Sequence, residues 1–243
     1  MDQIRCLEII EQHVSAVVGA VSGEQAALDP PGQHEDERSA GEAAILDAAV
    51  RLFSRHGYDG VSMRSVAREA GVSKSNIYHH FESKEALYLA IMQASAGHLA
   101  EMVDALAQGK GPFDRRLREF ARAHLAHLFD NATTVRLVLR EMYEGEEKWR
   151  KIMVEQLVGG IFERLIEIFE KGQASGLLRP GLDPGTCALM IVGVDQFYFQ
   201  TENMQQYPPL DKYRCSRETF SDDMMDILLH GMLLPAPAGG GDS

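Results

Sequence analysis

Residues 62–81 read SMRSVAREAGVSKSNIYHHF. Ser62 is a helix cap, and Val66 and Ala67 fall on the inward side of the short helix that follows. Gly71 ends that helix, because a residue without Cβ accepts the positive φ that a tight turn needs. Ser73 caps a second helix reaching about His80, with Lys74, Ser75 and Asn76 in its exposed first turn. Ala67 is small where two helices must cross closely, and Val72, Ile77 and Phe81 bury the second helix. Its polar amino-terminal end is then free to enter a major groove. An ordinary αα-hairpin has the same spacing, so spacing alone leaves both readings open.

The pattern on either side is helical as well. From Glu42, the stripe Ile45, Ala48, Ala49, Leu52 and Phe53 predicts a helix that Gly57 ends. Ser83 caps a longer helix carrying Leu87, Ala90, Ile91 and Ala94 on one side. Further helices are expected near 113–129, 131–145 and 147–174, the last with Ile152, Leu157, Ile161, Leu165 and Ile168 on one face. Residues 176–184 form a turn, after which Asp183 caps a helix with Pro184 at its first position, running to about 203. A loop with Pro208-Pro209 follows, then a final helix over roughly 216–233. No strand alternation of useful length and no internal repeat is present, so the expected fold is all-α.

The ends differ from this body. Residues 3–21 carry Ile4, Leu7, Ile10, Val14, Val17 and Val21 at helical spacing, and residues 23–41 have the composition of a linker. That first helix reads either as docked on the body or as an arm that is only locally helical. The expected organisation is an extension and linker over 1–40, a helix-turn-helix domain over 41–88, a helical domain over 89–233 and a tail over 234–243.

Charge first argues against nucleic acid. The 243 residues hold 24 Lys+Arg against 36 Asp+Glu, a net of −12. By region, residues 1–40 carry −6, residues 41–92 carry 0 and residues 93–243 carry −6. Val61–Lys84 alone carries +2, from Arg64, Arg68, Lys74 and Lys84 against Glu69 and Glu82. One short segment is compatible with phosphate while the remainder repels it. Cys6, Cys187 and Cys215 are odd in number and far apart, which argues against a disulfide framework and fits a reducing cytoplasm. No secretory signal or transmembrane run is read, and the expected location is cytoplasmic. No GxSxG, HExxH, phosphate loop or dinucleotide fingerprint suggests an enzyme, and no catalytic residue or cofactor is assigned. His124 and His127 lie three apart near His98 in reading order, but no Cys or carboxylate pattern accompanies them and no metal is assigned.

Residues 45–92, with Phe53, "HGY", "AGVSK", "IYHHF" and "SKEALY", resemble the DNA-binding domain of the TetR family of transcriptional regulators. The layout of the carboxy-terminal half, with its "GLLRP…DP" turn, is similar to that family too. The resemblance implies an amino-terminal three-helix reading domain and a helical ligand-binding and dimerisation domain. It implies a homodimer on a near-palindromic double-stranded DNA operator, released by a small-molecule effector, with repression the family habit. The alternative is a small-molecule-binding helical dimer without operator binding.

Roles follow from the same resemblance, residue by residue. Ser62 and Arg64 belong to the supporting helix, where Arg64 matches a position that reaches a base edge. Lys74 and Ser75 match base-reading positions. Asn76, Tyr78, His79 and His80 match positions that mostly hold phosphates, although Tyr78 and His80 also suit packing. Lys84 matches a phosphate contact at a helix start. The family's dimerisation pair corresponds to the helices near 184–203 and 216–233. The effector pocket is expected among Met102, Leu125, Phe129, Met142, Tyr143, Trp149, Met153, Phe162, Met190, Gln196, Phe197 and Tyr198. Flexible thioethers suit an adaptable pocket, though Met and aromatic residues at helical spacing are more often core. Where family members often carry Arg or Lys before the first helix, this chain reads His34-Glu-Asp-Glu-Arg-Ser-Ala-Gly-Glu42. That acidic arm should weaken binding to random DNA.

Overall fold

The computed structural model describes residues 33–232, with side chains from residue 41 onward. The expected helix over 3–21, the amino-terminal part of the expected linker and the tail lie outside the described residues. Among the described residues there is no strand. The order is α1 Gln33–His56, α2 Met63–Ala70, α3 Lys74–His80, α4 Lys84–Gln108, α5 Phe113–Asp130, α6 Ala132–Glu144, α7 Glu147–Ile152, α8 Gly159–Ala174, α9 Pro184–Thr201 and α10 Arg217–Met232. α1 begins at Gln33 rather than Glu42, so the carboxy-terminal part of the expected linker is helical.

Local chemistry sets most of these boundaries. The Ser62 hydroxyl accepts from the Ser65 N–H while Ser65 reaches back to the Ser62 backbone, a reciprocal cap. Gly71 has φ +70°, and nothing lies within 4 Å of where its Cβ would be. The glycine is needed there for conformation and not for space. Ser73 and Ser83 accept from Asn76 and Ala86 N–H, and Asp183 accepts from Thr186 N–H at 2.6 Å.

The single helix expected over 147–174 is interrupted. Residues Met153–Val158 form a π turn between α7 and α8. A Cβ on Gly159 would stand 2.4 Å from the Val154 carbonyl oxygen, so the wider turn closes only on a residue without one. The sequence of this segment carries continuous helical periodicity and hides that insertion.

Three apolar clusters hold the molecule. The first joins α1–α3 to the start of α4 through Ile45, Phe53, Val66, Ile77, Leu87 and Tyr88, and includes Leu137 of α6 and Trp149 of α7. The second lies among α4, α5, α8, α9 and α10, with Leu117, Phe120, Leu165, Phe169, Ile191 and Met225 at its centre. The third is small, formed by Leu128, Val135, Leu139 and Phe199. Arg122 pairs with Asp222 at 2.6 Å, and Arg118 pairs with Asp226, adding exposed α5–α10 links.

Candidate nucleic-acid interface and regulatory core

The reading head presents one polar edge. Ser62 at the cap of α2, Arg64 on α2, and Lys74, Ser75, Asn76, Tyr78 and His79 on α3 are all exposed. On the opposite side of α3, Ile77 is fully buried, so the short helix is fixed by its apolar face and its cap. The Ser75 hydroxyl lies 2.9 Å from that of Ser73, which orients it along the first turn. Lys74 Nζ stands 5.6 Å from the centre of the Tyr78 ring. The helix N-terminus has no acidic residue in its first turn, which leaves its partial positive charge unopposed by its own side chains.

Two of the nine expected DNA residues sit differently. The Lys84 ammonium donates to the Tyr58 and Val61 carbonyls at 2.7 and 3.0 Å and rests over the Tyr58 ring at 4.1 Å. It closes the α1–α2 loop onto α4, so most of its donor capacity serves the fold and not phosphate. The His80 side chain is only 7% exposed, with Nδ1 3.8 Å from a Glu42 carboxylate oxygen. Its ring packs near Phe81 and beside Gly41, so His80 is a packing residue of the head.

The twelve pocket candidates are spread over several places: Phe129 and Tyr198 meet with ring centroids 6.1 Å apart, Phe129 and Met142 pack on the third cluster, and Met102 and Phe162 pack on the second. Leu125, Trp149, Met153 and Tyr198 are buried, while Met102, Phe129, Met142, Phe162 and Gln196 are half-buried. Tyr143, Met190 and Phe197 are exposed, with Phe197 at 69%, because helical spacing alone cannot distinguish an inward stripe from an apolar outer one. Trp149 belongs to the head's core, where its ring lies 5.3 Å from Tyr58 and 5.0 Å from Tyr88. A cleft of about 390 Å³ lies between the end of α9 and the start of α10, and of the twelve only Tyr198 borders it. Glu202, Gln205, Arg214, Cys215, Ser216 and Arg217 complete its wall.

Two arrangements have no local sequence signal. Arg140 of α6 donates to the Phe53 and Ser54 carbonyls at 3.1 and 3.3 Å, capping the end of α1 from 86–87 residues away. Together with Trp149 and the Lys148–Glu85 pair at 2.7 Å, it fastens the α6–α7 corner to the reading head. In the body, buried His124 of α5 meets buried Asp195 of α9, Nδ1 to Oδ2 2.8 Å. Burial pushes the Asp195 carboxyl above the usual carboxylate range, and the His124 bond opposes that push. Among the described residues no group of three His, Cys, Asp or Glu side chains is placed to hold a metal ion, and no helix is long and apolar enough to cross a membrane.

A capped helix-turn-helix with an exposed second helix, fastened to a larger helical body, defines a DNA-binding transcription regulator. The family model for bacterial regulatory proteins of the tetR family matches residues 45–91, and the model for the tetracyclin repressor-like C-terminal domain matches residues 114–208. The HTH-type transcriptional regulator RutR of Escherichia coli K12 is 30% identical over 177 residues, covering 72% of this chain and 81% of that protein. The HTH-type transcriptional repressor AcnR of Corynebacterium diphtheriae is 33% identical over 126 residues, covering 50% and 61%. In fold, the chain is similar to FadR from Bacillus subtilis, solved in complex with stearoyl-CoA, at TM-score 0.64 and 22% identity, over 78% of this chain and 98% of that one. The chain belongs to the TetR family and is a DNA-binding transcription regulator of that family.

Proposed function

We propose that this regulator is a homodimeric repressor whose α2–α3 unit reads a near-palindromic operator and which a small molecule releases. The carrying observation is the exposed, capped first turn of α3, where Lys74, Ser75 and Asn76 stand clear of a helix locked by Ile77. In this reading Arg64, Lys74 and Ser75 contact base edges, and Ser62, Asn76, Tyr78 and His79 contact the backbone.

The dimer reading is supported by α9 and α10. Leu189, Met190 and Phe197 on α9 and Ile227 on α10 are large, apolar and exposed on the single chain. A second copy packing on them would form a four-helix interface, and two-fold symmetry would set the α3 helices about 34–36 Å apart. The ligand reading is supported by the helical domain beyond the head and by a neighbour in fold that was solved with stearoyl-CoA. An effector acts by binding the released state better than the DNA-bound one. Arg140 and Trp149 tie the α6–α7 corner to the head, which supports a route for that change through the corner.

The test is a gel shift of the full chain with the DNA upstream of its own gene. A footprint with two-fold symmetry, lost in Lys74→Ala and Arg64→Ala, is expected. Absence of any shift at low salt from a folded dimer would favour the ligand-binding dimer without an operator.

A further inference from the structure

Among the described residues, the pair His124–Asp195 leaves a carboxylate oxygen unbonded in the core of the helical body. His124 is 2% exposed and Asp195 is not exposed at all, in a surround that includes Ile191, Val192, Tyr198 and Phe199 on α9. The Phe120 ring stacks parallel on the His124 imidazole, centroids 5.9 Å apart, which fixes the ring's plane. Asp195 Oδ2 is bonded to His124, but Asp195 Oδ1 is buried and has no hydrogen-bond partner among the described residues. A carboxylate has room for several donors, and a buried oxygen without one is costly. An apolar pair of the same size would hold α5 to α9 with no such cost. The unmatched acceptor therefore points to a donor supplied from outside the chain.

A second feature leads to the same place. His127, one turn beyond His124 on α5, is half-buried and stacks on exposed His98 of α4 at 5.1 Å. Three imidazoles on α4 and α5 thus run from the surface of the body to the buried carboxylate of α9.

We propose that His124 and Asp195 form the polar end of the effector site, and that Asp195 Oδ1 accepts a hydrogen bond from an N–H or O–H of an uncharged or cationic effector. This rests on the ligand-responsive reading above and names its ligand class. His124 holds the carboxylate in one rotamer and so acts as a positioning residue. A carboxylate or phosphate group in the same place would meet an acceptor with an acceptor and is selected against.

Three probes of one shape separate these cases: benzamide (neutral donor), benzamidine (cationic donor) and benzoate (anion without a donor). Each is titrated into the full chain while the His124 ring signals are followed by NMR. Benzamide and benzamidine are expected to shift those signals and benzoate is not. Asp195→Asn is expected to weaken the two donors by about tenfold or more. If that variant fails to fold, the ranking of the three probes on the native chain still decides. Equal response to all three, or none at His124, overturns the proposal. Operator binding measured on the same sample keeps the outcomes apart: a chain that shifts its operator but ignores the donors remains a regulator with a different effector site.

Discussion

Single residues divide into those that face DNA and those that hold the face in place. Arg64→Ala should weaken operator binding by about 1–3 kcal/mol and relax preference at one base pair, read by competition with single-base variants. Uniform loss across all sequences would make Arg64 a backbone contact instead. Lys84→Met should act first on stability, because its ammonium bridges the Tyr58 and Val61 carbonyls. A loss of about 1–2 kcal/mol in denaturant unfolding is expected, since bonds from a charged group are worth more than neutral ones. Unchanged stability with weaker DNA binding would restore the phosphate role. His127 gives a pH signature. Burial, then the imidazoles of His98 and His124, lower its pKa from 6.5 to about 4. Folding therefore favours the neutral ring, and that contribution is complete above about pH 6.5 and lost as the pH falls through about 4. His127→Gln should flatten the decline of Tm across that window, and an unaltered slope would contradict the assignment. Exposure of Lys74 and Asn76 was legible in the sequence because a cap and one buried isoleucine decide it. The commitment of Lys84 was not, because its partner carbonyl of Tyr58 lies 26 residues away, and the packing alternative for His80 could not be chosen without Glu42, 38 residues away.

Elements whose ends depend on local chemistry were the most legible. Ser62, Ser73, Ser83 and Asp183 each cap the helix their position suggested, and Gly57 and Gly71 both adopt positive φ. Gly71→Ala meets no neighbour, so its cost is conformational alone and should be about 1–2 kcal/mol in thermal unfolding. A neutral effect would mean that the turn relaxes to another form. The π turn at Met153–Val158 was hidden, since it adds no break in the apolar stripe and is marked only by Gly159. Which residues of α9 face inward was hidden for a related reason. Met190 and Phe197 share helical spacing with buried Ile191, Val192 and Tyr198 on α9, and only the packing of α5 and α8 against that helix decides which side is inside.

At the scale of the molecule, charge and shape divide the work. The net of −12 lies outside the reading segment, which is neutral over 41–92. Binding should therefore rest on a few directed contacts, with a shallow dependence on salt for random DNA. Leu189, Phe197 and Ile227 are exposed on the single chain, and in the dimer proposed above they would meet a second copy. Phe197→Asp should shift the chain to monomers in sedimentation and abolish tight operator binding, because two half-sites then bind without linkage. A dimer that survives this change would place the interface elsewhere. The central claim is that α3 reads a two-fold operator from a dimer of this chain. The most direct measurement is fluorescence anisotropy with DNA from upstream of its own gene at two salt concentrations, native chain beside Lys74→Ala. Tight, saturable binding to one symmetric site, far exceeding binding to random DNA and weakened in the variant, is expected. Equal affinity for random DNA, or none for the upstream site from a folded dimer, would contradict it.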